Sequence, residues 1–196
     1  SSGADIHLMR TILSFPYAMA RRWVADRSSR GRETTIPPGA AVPLGALGHL
    51  AAALEVALEV EAGRIPPIRH VVVPIGSTCT TAGLLAGFAA AAAAGIGFGS
   101  GRPAPHVHAV RVSPWPVTAH FRVVGLAMGT ARLLAARGGP DVADAATLGS
   151  RLTVSGAELG RGYGHPTAAG SAAQSAFSKT NVHGAGGPQV DTTYSA

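Results

Sequence analysis

Two residue types are nearly missing from this 196-residue sequence: Cys79 is its only cysteine and Lys179 its only lysine. A single cysteine excludes an internal disulfide and makes a reducing, cytoplasmic compartment the expectation. Charge is also sparse, with 13% charged residues and 5% aromatics. The net charge of +6 comes almost wholly from arginines scattered along the chain, such as Arg10, Arg64, Arg102 and Arg151. Nucleic-acid surfaces gather basic residues on one face and interleave aromatics, so no nucleic-acid partner is expected. Residues 1–5 have no basic or apolar leader pattern, and the opening reads as the interior of a longer chain. Residues 71–101 hold no charged side chain, but Pro74, Gly76 and the hydroxyls of 77–81 interrupt them. Such a loop in hydrocarbon would leave backbone groups unpaired, so no membrane span is expected.

What is present is enough apolar sequence, 46%, for one good core. β-branched runs predict strands at 6–9, 69–75, 106–112 and 151–154. Helical spacing marks 14–26, 44–61, 82–94, 117–136 and 167–179. In the second of these helices Leu47, Leu50, Leu54 and Leu58 share a face. In the fourth, Phe121, Val124, Leu126, Leu133 and Leu134 are the apolar set. Strands alternate with helices and no hairpin signature occurs. The expected class is α/β, with a mostly parallel open sheet covered by helices on both faces.

The segment 71–84 carries the most chemistry. A β-branched run empties into Gly76-Ser77-Thr78-Cys79-Thr80-Thr81, and an alanine-rich helix follows past Gly83. Such a turn aims backbone N–H groups, hydroxyls and a helix N-terminus at one point, which suits an anion. No lysine follows as a nucleoside triphosphate loop requires, so a single phosphate fits better. The plain alternative is an ordinary strand-to-helix turn built from capping residues. The glycine-punctuated loop 38–48 reads locally as close packing of a helix start. The turns around Tyr163 and Tyr194 say little on their own. His106 and His108 share one strand face, but no Cys, Asp or Glu stands at ligand spacing nearby. Surface or packing histidines, and no metal, are expected there. Cys79 at a helix start could be an activated nucleophile, but no base partner is evident.

Taken in order, these motifs resemble pyridoxal-phosphate enzymes of the D-cysteine desulfhydrase and aminocyclopropane-carboxylate deaminase family, which have the tryptophan-synthase-β-like fold. Residues 36–49 match the family's I-P-x-G-G-S-x-P-L-G-A-L-G-Y stretch, and 76–84 match its G-S-G-G-T-x-A-G-L loop. Residues 162–167 match G-Y-G-x-P-T, and 191–196 match the closing D-P-x-Y-T-x-K-A. The resemblance implies a remnant of the small domain at 1–35 and a large cofactor-binding domain at 36–196. It implies pyridoxal 5'-phosphate held by Gly76, Ser77, Thr78, Cys79, Thr80 and Thr81, with Gly83 allowing close helix approach. Tyr163 and Tyr194 would face cofactor and substrate as the catalytic pair. Ser195 would stand beside the pyridine nitrogen, where a hydroxyl suits α,β-elimination from a small amino acid and tilts the reading toward the desulfhydrase. An aminocyclopropane-carboxylate deaminase-like enzyme, or a degenerate relative binding phosphate or a partner, is the alternative. A homodimer is implied as well.

The sequence departs from the family at telling places. The Schiff-base lysine has no counterpart, since Lys179 falls where the family has surface residues, and the chain alone is expected to be inactive. Thr78 and Cys79 replace two glycines of the usual loop, where side chains crowd the phosphate unless the backbone avoids positive φ. Ala40 and Ala41 replace Gly-Ser, and His49 replaces the usual tyrosine.

Overall fold

The computed structural model describes residues 36–156, apart from 100 and 114, together with isolated helical positions 17, 20, 21, 24 and 168. The chain divides into two compact units, Ser1–Ile36 and Pro37–Ala196. In the first, the described helical positions fall within the expected helix 14–26, and the Arg21 guanidinium lies 6.0 Å from the centre of the Tyr17 ring.

In the second unit, α1 spans Pro43–Glu61, β1 His70–Ile75, α2 Cys79–Ala93 and β2 His106–Arg111. They are followed by α3 His120–Ala135, α4 Ala145–Ser150 and β3 Leu152–Ser155. The three strands form a parallel sheet in the order β1-β2-β3. Among the described residues β1 lies at an edge, which is where Pro74 is tolerated, because an edge strand has one side free of ladder hydrogen bonds. Pro43 opens α1 at the first helical position, where its missing N–H costs nothing.

A sheet that grows in one direction, with right-handed crossovers, puts its crossover helices on the same face. The burial pattern of β1 fits that arrangement: Ile75 is buried and Val71 and Val73 half-buried, whereas His70, Val72 and Pro74 are exposed. Val72 keeps 69% of its surface open. The expected helices on both faces are not found among the described residues, and the expected helix 167–179 lies almost wholly outside them. Among the described residues the sheet has one covered face, because the strand order never reverses to send a helix to the other side.

The leucine stripe expected for α1 holds in part: Leu50 lies in the core and Leu47 and Leu54 pack against it. The buried positions are Ala46, Leu50, Ala53, Ala57 and Val60, and Leu58 is 51% exposed. The reason lies in the partner helix. A β-carbon on Gly83 would stand 2.5 Å from the Ala46 carbonyl oxygen, and one on Gly87 2.6 Å from Ala53 Cβ. Helices this close accept alanine and glycine at the seam and push leucine to its margins. In α3 the buried set is Val123, Val124, Ala127, Thr130 and Ala131, and Phe121 is exposed. The buried Thr130 hydroxyl donates to its own helix, at Leu126 O, 2.8 Å away.

α1 is the one described helix long and apolar enough to cross a bilayer by length and composition. The uncharged stretch considered above is a strand, a turn and the central helix α2.

Candidate anion site at the end of the first strand

β1 delivers Ile75 to the carboxyl edge of the sheet, where open α/β sheets bind their ligands. Gly76, Ser77 and Thr78 make the turn, and α2 begins at Cys79, three residues before the expected 82. Cys79, Thr80 and Thr81 are thus the first helical turn. Their amides have no protein acceptor among the described residues, as the first turn of any helix leaves them.

Thr78 is the N-cap, in the left-handed region at φ 76°, and its side chain makes no capping hydrogen bond. This is a left-handed geometry that glycine enters freely, and a β-branched residue occupies it at a cost of about 1–2 kcal/mol. Thr78 and Cys79 are buried beneath the loop. The Cys79 thiol donates to the Ala40 carbonyl at 3.3 Å. Burial pushes the Cys79 pKa up, the opposite of an activated nucleophile at a helix start. The Thr80 hydroxyl lies 3.2 Å from His49 Nε2 and is exposed. Thr81 is 1% exposed, and its Oγ1 has no hydrogen-bond partner.

The glycine loop before α1 closes on this turn. Residues Pro38–Ala40 form a short helical turn with Gly39 at φ 65°. A β-carbon on Gly39 would stand 2.1 Å from Ser77 Cβ and 2.3 Å from its Oγ. Together with the bonds from Cys79 to Ala40 and from Thr80 to His49, this brings the 36–49 and 76–84 motifs into one place. Gly83 seals the join from within α2, as expected for close helix approach.

Arg111 escaped the sequence reading. It pairs in register with Ile75, at the same carboxyl edge, and its Nε is buried without a partner. Among the described residues no carboxylate pairs with it. A half-buried, uncompensated guanidinium is a residue in want of an anion. Its only sequence signal was its place at the end of an apolar strand. Tyr163, Tyr194, Ser195 and Lys179 lie outside the described residues.

Other features lie elsewhere. A half-open cavity of about 520 Å³ is lined by Phe88, Pro105 and Leu148, with Asp144 and Arg151 among its polar residues. It includes none of residues 76–81. On the exposed sheet face, His70 joins His106 and His108, which sequence spacing alone did not suggest. His106 is held below the usual imidazole pKa, first by burial and then by His108, His70 and Arg151. No model of a protein family matches this chain, and no curated protein matches it.

Proposed function

We propose that the chain is the cofactor-phosphate-binding portion of a pyridoxal-phosphate-dependent lyase, acting by α,β-elimination or deamination on a small amino acid as D-cysteine desulfhydrase does. The observation that carries the reading is the junction of the Gly39 loop and the Ser77 turn at a helix N-terminus with unpaired amides. The residues fit a phosphate monoester in three further respects: a buried hydroxyl on Thr81 with no partner, Ser77 at the turn, and Arg111 uncompensated at the same edge.

Pyridoxal phosphate, when bound, supplies an electron sink for bonds at the substrate α-carbon. The protein's part is to hold and to orient. The amides of Cys79 to Thr81 and the Ser77 hydroxyl bind the phosphate oxygens, and the helix dipole of α2 favours their charge. Arg111, whose backbone pairs with Ile75, supplies a positive charge at that edge of the sheet. By resemblance, Tyr163 and Tyr194 bind the substrate carboxylate or move a proton, and Ser195 keeps the ring nitrogen unprotonated. The reading includes a cytoplasmic location and a homodimer.

A second reading has its own observation. Thr78 strained at positive φ and Cys79 buried beside it suit a relative that binds phosphate without turnover. Equilibrium dialysis with pyridoxal phosphate and with pyridoxal tests the common ground. The phosphorylated form should be retained and the dephosphorylated form not. Ser77→Ala should weaken retention by about tenfold, the worth of one hydrogen bond to a charged group. Equal retention of both compounds would refute phosphate recognition. Sulfide release from D-cysteine by this chain above that of free cofactor would refute the non-catalytic reading.

A further inference from the structure

The exposed face of the sheet holds three imidazoles that come from two strands. The parallel register sets His70 opposite His106 and Val72 opposite His108, so alternation puts all three histidines on one side. His70 Nδ1 lies 3.0 Å from His108 Nε2. The ring centres of His106 and His108 are 4.7 Å apart, and those of His70 and His108 5.1 Å. His106 Nε2 is turned to the Thr153 hydroxyl at 2.8 Å. In these rotamers no three His, Cys, Asp or Glu donors among the described residues converge on one point.

We propose that His70 and His108 chelate a divalent copper ion on this face, and that His106 joins them when its ring turns from Thr153. Metal–nitrogen bonds of roughly 2.0–2.1 Å at a right angle place two nitrogens about 2.9 Å apart, close to the observed spacing. A tetrahedral angle would place them about 3.3 Å apart, so the spacing is within reach of either geometry, and copper is chosen because imidazole sites bind Cu(II) more tightly than zinc. An all-imidazole set also selects against magnesium and calcium, which take oxygen donors. Strand positions hold these rings more firmly than a loop would, and the open face lets the ion enter. His70 and His106 begin their strands, at the opposite end of the sheet from the Ser77 turn, so the site is independent of the proposed phosphate binding.

The test is a titration of the full chain with copper(II), read by calorimetry and by electron paramagnetic resonance. One equivalent should bind with a tetragonal spectrum and nitrogen hyperfine splitting. His108→Ala should weaken that equivalent by at least tenfold, and His106→Ala should remove one coupled nitrogen. His49→Ala and His120→Ala, whose rings bond Thr80 and Gly149, should leave it unchanged. Circular dichroism shows which variants fold, and His108→Gln replaces His108→Ala should the latter fail to do so. Copper binding that survives both His70→Ala and His108→Gln would overturn the proposal, as would the absence of any bound equivalent. In that case the 3.0 Å contact is a hydrogen bond between two imidazoles and nothing more.

Discussion

Gly39 and Ser77, 38 positions apart in the sequence, touch so closely that no β-carbon fits between them. Gly39 also adopts φ 65°, so two separate penalties meet any side chain there. Gly39→Ala should destabilise the fold by about 2–4 kcal/mol, part from the left-handed backbone and part from the clash. In a Ser77→Gly background the clash is relieved and about 1–2 kcal/mol should remain. Urea denaturation of the four proteins measures the cycle. Simple additivity would mean that the two loops do not meet.

Thr78 makes the converse case. It occupies a conformation that glycine enters freely, and its hydroxyl caps nothing. Thr78→Gly should raise stability by about 0.5–1 kcal/mol, the relief of strain exceeding the added freedom of the unfolded chain. The same change removes a side chain from the proposed phosphate loop, so retention of pyridoxal phosphate in dialysis should rise with it. Lower stability together with weaker retention would show that the threonine side chain belongs to the site.

The seam of α1 and α2 separates glycines that are needed from glycines that are not. Gly83→Ala drives a methyl group against the Ala46 carbonyl and His49 Cβ, each 2.5 Å from the new atom, and should cost about 2–3 kcal/mol. Gly48, in α1, faces open space, so Gly48→Ala should stabilise by about 0.5–1 kcal/mol through helix propensity. Thermal or urea melts of the two variants should move in opposite directions.

Asp144 caps α4 by accepting from the Thr147 amide at 2.7 Å. The Thr147 hydrogen bonds hold its carboxyl below the ordinary aspartate pKa. A depressed folded value means stability present above the unfolded value of about 3.9 and lost as pH falls through the folded one. The melting temperature of the parent should therefore exceed that of Asp144→Ala at neutral pH, and the gap should close below about pH 4. A gap of constant size from pH 3 to 7 would show that the carboxylate charge contributes nothing.

The strands were legible because each is a short β-branched run: β2 and β3 fall within a residue of the expected bounds. The start of α2 was not. Cys79, Thr80 and Thr81 read as turn residues, but threonine and cysteine carry only a small helix penalty, and burial of Cys79 and Thr81 on the core side of the helix outweighs it. The α1 stripe misplaced Leu58 for a different reason. Leucine spacing marks an apolar face, whereas the depth of packing is set by Gly83 and Gly87 on another segment. α4 was missed although Asp144 three residues before Thr147 is a capping signal; six residues give too little periodicity to see. His70 and Arg111 gained their neighbours from strand register, which no local reading supplies.

The central claim is that the Ser77 turn and the first turn of α2 grasp a phosphate group. Backbone amide chemical shifts, followed by NMR while inorganic phosphate and then pyridoxal phosphate are added, test it most directly. The expected result is saturable movement of the Ser77, Thr78, Cys79, Thr80 and Thr81 signals with both ligands, reduced in Arg111→Met. Shifts confined to other regions, or none at all in 76–81 at saturating pyridoxal phosphate, would contradict it.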